Sequence, residues 1–169
     1  MSASHLSKHV DRGEEYLVSE VRGVLVHELT HSYQWSVNGV PGGLIEGISQ
    51  IPPLPFSLPM SVLRMLMEGI ADFVRLRAGL APSHWKTSPV RKKWDQGYEV
   101  TAYFLEYIDR EVYPGFVAFV NEWIGQQTVK DGKYDEEEMF AEVMPGWDWD
   151  ILWEQYLENY SDWSKHRSE

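Results

Sequence analysis

The sequence predicts a mainly α-helical fold with little β-sheet. Apolar residues recur at spacings of three and four along several segments, as they do in helices that bury one face. Glycine and proline residues separate these segments from one another. A chain of 169 residues, 43% of them hydrophobic, can bury a core, so we expect residues 1–169 to form a single domain.

The first predicted helix begins at Glu14 and runs to about Trp35. Its apolar positions are Leu17, Val21, Val24, Leu25 and Leu29. The turn signals Asn38-Gly39 and Pro41-Gly42-Gly43 follow it. A short apolar piece at residues 44–48 then leads into a segment that dense prolines exclude from any regular helix or central strand. These prolines are Pro52, Pro53, Pro55 and Pro59.

Five further helices are predicted downstream. The first of them starts near Met60 and ends near Gly79, with Pro82 just beyond as a stop signal. The others are expected at residues 95–110, Phe116–Ile124, Asp135–Val143 and Trp149–Tyr160.

Composition narrows the classes of function. The formal net charge of −11 argues against a nucleic-acid-binding protein and against docking on anionic membranes. The chain has no cysteine, so a metal site must use histidine and carboxylate ligands. No signal peptide is visible at the N-terminus, and no apolar run is long enough for a membrane span, so the default expectation is a cytoplasmic protein.

The strongest chemical signal is His27-Glu28-Leu29-Thr30-His31, a His-Glu-x-x-His (HExxH) motif within the first predicted helix. Residues four apart lie on one helix face, so His27 and His31 can bind one Zn²⁺ ion. Glu28, next to the first histidine, can then act as general base toward a water molecule that the metal activates. The alternative is a surface helix with two solvated histidines, which the apolar surroundings of the motif disfavour.

A catalytic zinc site needs a third protein ligand. The zincin variety with a third histidine six residues after the second, following a glycine, is excluded, because position 34 is Gln and position 37 is Val. Glu68 and Glu46 are the two candidates, each within a Glu-Gly-Ile triplet. We favour Glu68, because Asp72 lies four residues further along the same predicted helix and could accept the outer N–H of a zinc-bound histidine.

Tyr98, in Trp94-Asp95-Gln96-Gly97-Tyr98, is a weaker candidate for the site. Its hydroxyl could donate a hydrogen bond to the oxyanion that forms during amide hydrolysis. The alternative is a core tyrosine at the start of a helix.

Several segments resemble the basic secretory protein family of plants and microbes. They are residues 23–31, Pro41–Gly47, Ile70–Gly79, Ala81–Trp85 and Trp94–Tyr98, and the resemblance extends over about residues 15–160. It implies a gluzincin-type secreted zinc peptidase, with two histidine ligands, one glutamate ligand from a Glu-Gly-Ile-Ala-Asp segment, and a glutamate base.

The chain also departs from that family in two ways. The Glu-Gly-Ile triplet occurs twice, at 46–48 and at 68–70, which indicates an insertion at about residues 47–68. The N-terminal region that carries the edge strands of the sheet is short, so the fold is expected to be the helical remnant of an α+β zincin-like domain. The expected function is zinc-dependent hydrolysis of peptides or proteins, and the alternative is a catalytically impaired zinc-binding or structural module.

Overall fold

The computed structural model describes residues 13–35, 60–89, 92–126 and 136–167. Six α-helices lie within these ranges, and the ranges contain no β-strand. The helices are α1 (Glu14–Tyr33), α2 (Met60–Arg77), α3 (Tyr98–Tyr107), α4 (Phe116–Gln126), α5 (Glu136–Val143) and α6 (Trp149–His166). The prediction of a mainly α-helical fold with little sheet is therefore confirmed.

Local signals explain where the helices begin and end. Two acidic residues occupy the first turn of α1, where they interact favourably with the helix dipole. The side chain of Asp148 caps α6 by accepting a hydrogen bond from the backbone N–H of Ile151. This helix continues past the predicted end at Tyr160 to His166, and Trp163 in the added turn is buried.

Helix α3 forms the centre of the core. Residues 100–107 are all buried, and the helix continues into a π-helical segment, Ile108–Val112. Aromatic side chains from α6 pack around Phe104, and Trp149 of α6 stacks on Trp94 of a short 3₁₀ helix with ring centroids 4.7 Å apart. Because this core fixes α3 on all sides, α3 is a rigid support for the helix that packs on it.

Helix α2 lies between α3 and α1. It packs closely on α3 at Gly69, where a Cβ atom would collide with the side chain of Thr101. The hydroxyl of Thr101 also donates to the backbone carbonyl of Trp94 and accepts from the backbone N–H of Gly97, which holds the start of α3 in place. Helix α1 packs on the other side of α2.

Helix α1 buries Glu20 and His31 more fully than any residue of its apolar stripe. Leu25 and Leu29 are 53% and 57% exposed, whereas Glu20 and His31 are buried. The periodic apolar pattern predicted the helix, but the buried face is chosen by polar contacts with α2.

Among the described residues, none of the helices has the length and apolar character that crossing a membrane requires.

Candidate metal centre

Two histidines of α1 and one glutamate of α2 converge where these helices pack together. The Nε2 atoms of His27 and His31 are 3.1 Å apart, and the two rings meet edge to face. The Oε2 atom of Glu68 lies 3.3 Å from the Nε2 atom of His27 and 3.8 Å from that of His31. The structure thus brings together the three residues that the sequence offered as zinc ligands.

The spacing of these atoms fits a tetrahedral zinc ion. Two nitrogen ligands, each about 2.0–2.1 Å from such an ion, lie about 3.3 Å from each other. The three separations in this cluster, from 3.1 to 3.8 Å, are close to that value. The donor set of two imidazoles and one carboxylate is also one that catalytic zinc sites use.

Asp72 supports the cluster from one turn further along α2. It is 2% exposed, and its Oδ1 atom lies 2.7 Å from the Nδ1 atom of His27, so it accepts the outer N–H of that ring. Burial lowers the pKa of His27, but the hydrogen bonds and charges of Asp72 and Glu68 outweigh burial and raise it to about 9. The surroundings of His27 therefore favour positive charge, which a divalent cation would also supply.

The hydrogen bond from His27 holds the pKa of the Glu68 carboxyl below its usual range, against the opposing effect of burial. Glu68 is therefore a carboxylate at neutral pH. A carboxylate is the form in which glutamate coordinates a metal.

His31 has a partner that the sequence analysis missed. The Nδ1 atom of His31 lies 2.7 Å from the Oε1 atom of Gln34, which is 2% exposed. The Nε2 atom of Gln34 donates to the backbone carbonyl of Met67 at 2.8 Å. The position of Gln34, three residues after His31 at the C-terminal end of α1, could have indicated the first contact, but the second depends on tertiary packing.

A buried ion pair joins the same two helices on the N-terminal side of the cluster. The Nη2 atom of Arg75 donates to Glu20 at 3.0 Å, and its Nε atom donates to the carbonyl of Leu80 at 2.9 Å. The guanidinium group lies over the ring of Trp85 and against Gly23. We call Arg75 and its partners Glu20, Leu80 and Trp85 the Arg75 clamp. The clamp holds α1 on α2 one turn before His27.

The other predicted site residues are Glu28, Tyr98 and Glu46. Glu28 is exposed on α1 beside His27. Tyr98 is 55% exposed and is the first residue of α3, with a left-handed φ of 52°. Gly97, the residue before Tyr98, packs against Met65, which lies one turn before Glu68 on α2. The alternative ligand Glu46 lies outside the described residues.

A comparison with protein families gives one match over most of the chain. The model of the family described as peptidases of plants and bacteria matches residues 1–51 and 59–156. Searches of curated proteins and of solved structures found no match. The matched family is the one that the sequence motifs resemble. The chain therefore belongs to the basic secretory protein family of plant and bacterial peptidases.

Proposed function

We propose that this protein is a zinc-dependent peptidase whose metal is held by His27, His31 and Glu68. The observation that carries the proposal is the convergence of three ligand atoms, one from each of these side chains, at separations of 3.1 to 3.8 Å in a chain that belongs to a peptidase family. When bound, a zinc ion supplies a Lewis acid that polarises a carbonyl group and makes water more acidic.

The residues of the chain then have distinct roles. Glu28 is the general base that takes a proton from the attacking water and passes it to the leaving amine. Its exposure supports this role, since the base must reach both water and a bound peptide. Asp72 orients His27 through the hydrogen bond to its Nδ1 atom.

Tyr98 is the proposed hydrogen-bond donor to the carbonyl oxygen as negative charge develops on it. Two packing contacts support a position near the ligands. Gly97 packs against Met65 and Thr101 packs against Gly69, and these two α2 residues lie on either side of Glu68. The left-handed φ of Tyr98 is a further reason to consider it, because strained backbone is concentrated at functional sites.

The test compares Glu28→Gln with Glu15→Gln, which makes the same change at an exposed position of the same helix. We expect both variants to bind one zinc per chain by mass spectrometry. Casein cleavage should fall at least about 100-fold in Glu28→Gln and remain at the wild-type rate in Glu15→Gln.

Loss of the metal in Glu28→Gln would contradict the assignment of Glu28 as a base rather than a ligand. If wild-type protein binds zinc and cleaves no peptide, the catalytically impaired zinc-binding module is the better description. Cleavage by Glu28→Gln at the wild-type rate would exclude Glu28 as the base.

A further inference from the structure

The side chain of Gln34 lies between the His-Glu-x-x-His helix and the helix that carries Glu68. It is buried at the C-terminal end of α1, and both ends of its amide group make hydrogen bonds. One bond joins it to His31 and the other to the backbone of Met67, the residue before Glu68. Gln34 therefore contacts one proposed ligand directly and the chain beside another.

The direction of these two bonds follows from the chemistry of the groups. A backbone carbonyl oxygen only accepts, so the NH₂ group of Gln34 must face Met67. The carbonyl oxygen of the same amide then faces His31 and also only accepts. The Nδ1 atom of His31 must therefore carry a hydrogen, and a neutral His31 ring has its lone pair on Nε2. This is the His31 atom that lies nearest to His27 and Glu68.

We propose that Gln34 is a positioning residue, which fixes the metal-binding tautomer of His31 and ties that ring to the backbone next to Glu68. The inference rests on the proposed function, since it describes how the same site is prepared for a cation. It gives the two histidines unlike supports, a carboxylate for His27 and a neutral amide for His31.

The electrostatics of the site explain why an amide is suited to this position. Asp72 and Glu68 already place two carboxylates around His27. A third carboxylate would exceed the charge of one divalent cation, and it would face the carbonyl of Met67 with no hydrogen to donate. Glutamine avoids both costs and still accepts the hydrogen bond from His31.

The tautomer of His31 can be measured without metal and without substrate. Long-range ¹⁵N–¹H NMR spectra of the metal-free full chain, at a pH where the His31 ring is neutral, should show hydrogen on Nδ1. Gln34→Met removes the acceptor at similar side-chain length, and the share of the Nδ1–H form should fall, even though the Nε2 atom of His27 still lies 3.1 Å from that of His31. Gln34→Glu restores an acceptor and should restore the Nδ1–H form. Gln126→Met is the control, because Gln126 is exposed at the end of α4.

Zinc affinity gives a second readout. Loss of a group that orients a histidine ligand typically weakens metal binding about 10- to 100-fold, and we expect that loss in Gln34→Met and no loss in Gln126→Met. A wild-type His31 with hydrogen on Nε2 would overturn the inference. So would a folded Gln34→Met variant with an unchanged tautomer and unchanged zinc affinity. If Gln34→Met does not fold, hydrogen on the Nε2 atom of His31 in Gln34→Glu would also overturn the inference.

The outcomes also separate this inference from the proposed function. If His31 carries hydrogen on Nδ1 in the wild type and loses this preference in Gln34→Met, but the protein binds no zinc and cleaves no peptide, the role of Gln34 in fixing the ring stands and the proposed function fails. If zinc binds and peptide is cleaved while His31 carries hydrogen on Nε2, only the inference about Gln34 fails.

Discussion

Gly23 leaves the space that the Arg75 clamp occupies, so Gly23→Ala is a direct test of how α1 is held on α2. A Cβ atom at position 23 would lie 2.5 Å from the Nε atom of Arg75 and 2.7 Å from its Nη2 atom. These distances are too short for any real contact, and the guanidinium group cannot yield easily. The guanidinium group donates hydrogen bonds to Glu20 and to the backbone carbonyl of Leu80, and the ring of Trp85 covers it.

Two opposing effects set the magnitude. Disrupting a buried ion pair by removing one partner costs about 3–5 kcal/mol, and displacing Arg75 should cost most of that amount. Alanine is a better helix former than glycine by about 1 kcal/mol, which offsets part of the loss. We therefore expect Gly23→Ala to lower the free energy of unfolding by about 2–4 kcal/mol.

Urea denaturation of wild type, Gly23→Ala and Ser19→Ala measures the effect. Ser19 is exposed on the same helix, so its replacement by alanine should change stability by less than about 0.5 kcal/mol. If Gly23→Ala is instead as stable as wild type or more stable, helix propensity alone governs this position. The inference that α1 packs closely on the Arg75 clamp would then be wrong.

Three further predictions concern the metal centre. Asp72→Asn removes the charge beside His27 and should weaken zinc binding about 10- to 100-fold, which competition with a chromogenic chelator measures; unchanged affinity would contradict the orienting role. Glu68→Ala should abolish tight zinc binding in the same assay, whereas Glu46→Ala should leave it intact, and the reverse result would exchange the two assignments. Metal-free protein should be most stable between about pH 4.5 and 6.5, as measured by urea denaturation at a series of pH values. The raised pKa of His27 stabilises the fold fully below 6.5, and this contribution, on the order of 3 kcal/mol, is lost as the pH rises through about 9. The lowered pKa of Glu68 gives a contribution that is present above 4.5 and lost as the pH falls. Equal stability at pH 6.5 and pH 10 would contradict the raised pKa of His27.

The parts of the fold that depend on short-range patterns could be predicted from the sequence. The spacing of four residues between His27 and His31 places them on one face of any helix, and the same spacing relates Glu68 to Asp72. Glycine and proline residues marked where the helices end. For these reasons the helical fold could be predicted from the sequence, and so could the convergence of His27, His31 and Glu68, although the chemical roles of these residues stay predictions.

The parts that depend on packing between distant segments could not be predicted. Glu20 and Arg75 are 55 residues apart, and no local pattern pairs them. The same limit applies to Gln34, whose second partner is a backbone carbonyl of another helix. The apolar stripe of α1 gave the helix but not its buried face, because hydrogen bonds to α2 turn the polar face inward.

The insertion predicted at residues 47–68 also stays a prediction. The structure describes its last part, from Met60 to Glu68, as the first half of α2, continuous with the turn that carries Asp72. The family match leaves out only residues 52–58 between its two parts. If residues 60–68 are part of an insertion, the insertion supplies Glu68 and is an integral part of the candidate metal site.

The central claim is that His27, His31 and Glu68 together bind one zinc ion. Anomalous diffraction at the zinc absorption edge, from crystals of the full chain grown with zinc, tests this claim most directly. We predict one strong peak between α1 and α2, about 2.0–2.2 Å from the Nε2 atoms of both histidines and from a carboxylate oxygen of Glu68. A peak coordinated by Glu46 in place of Glu68, or no peak between these helices, would contradict it.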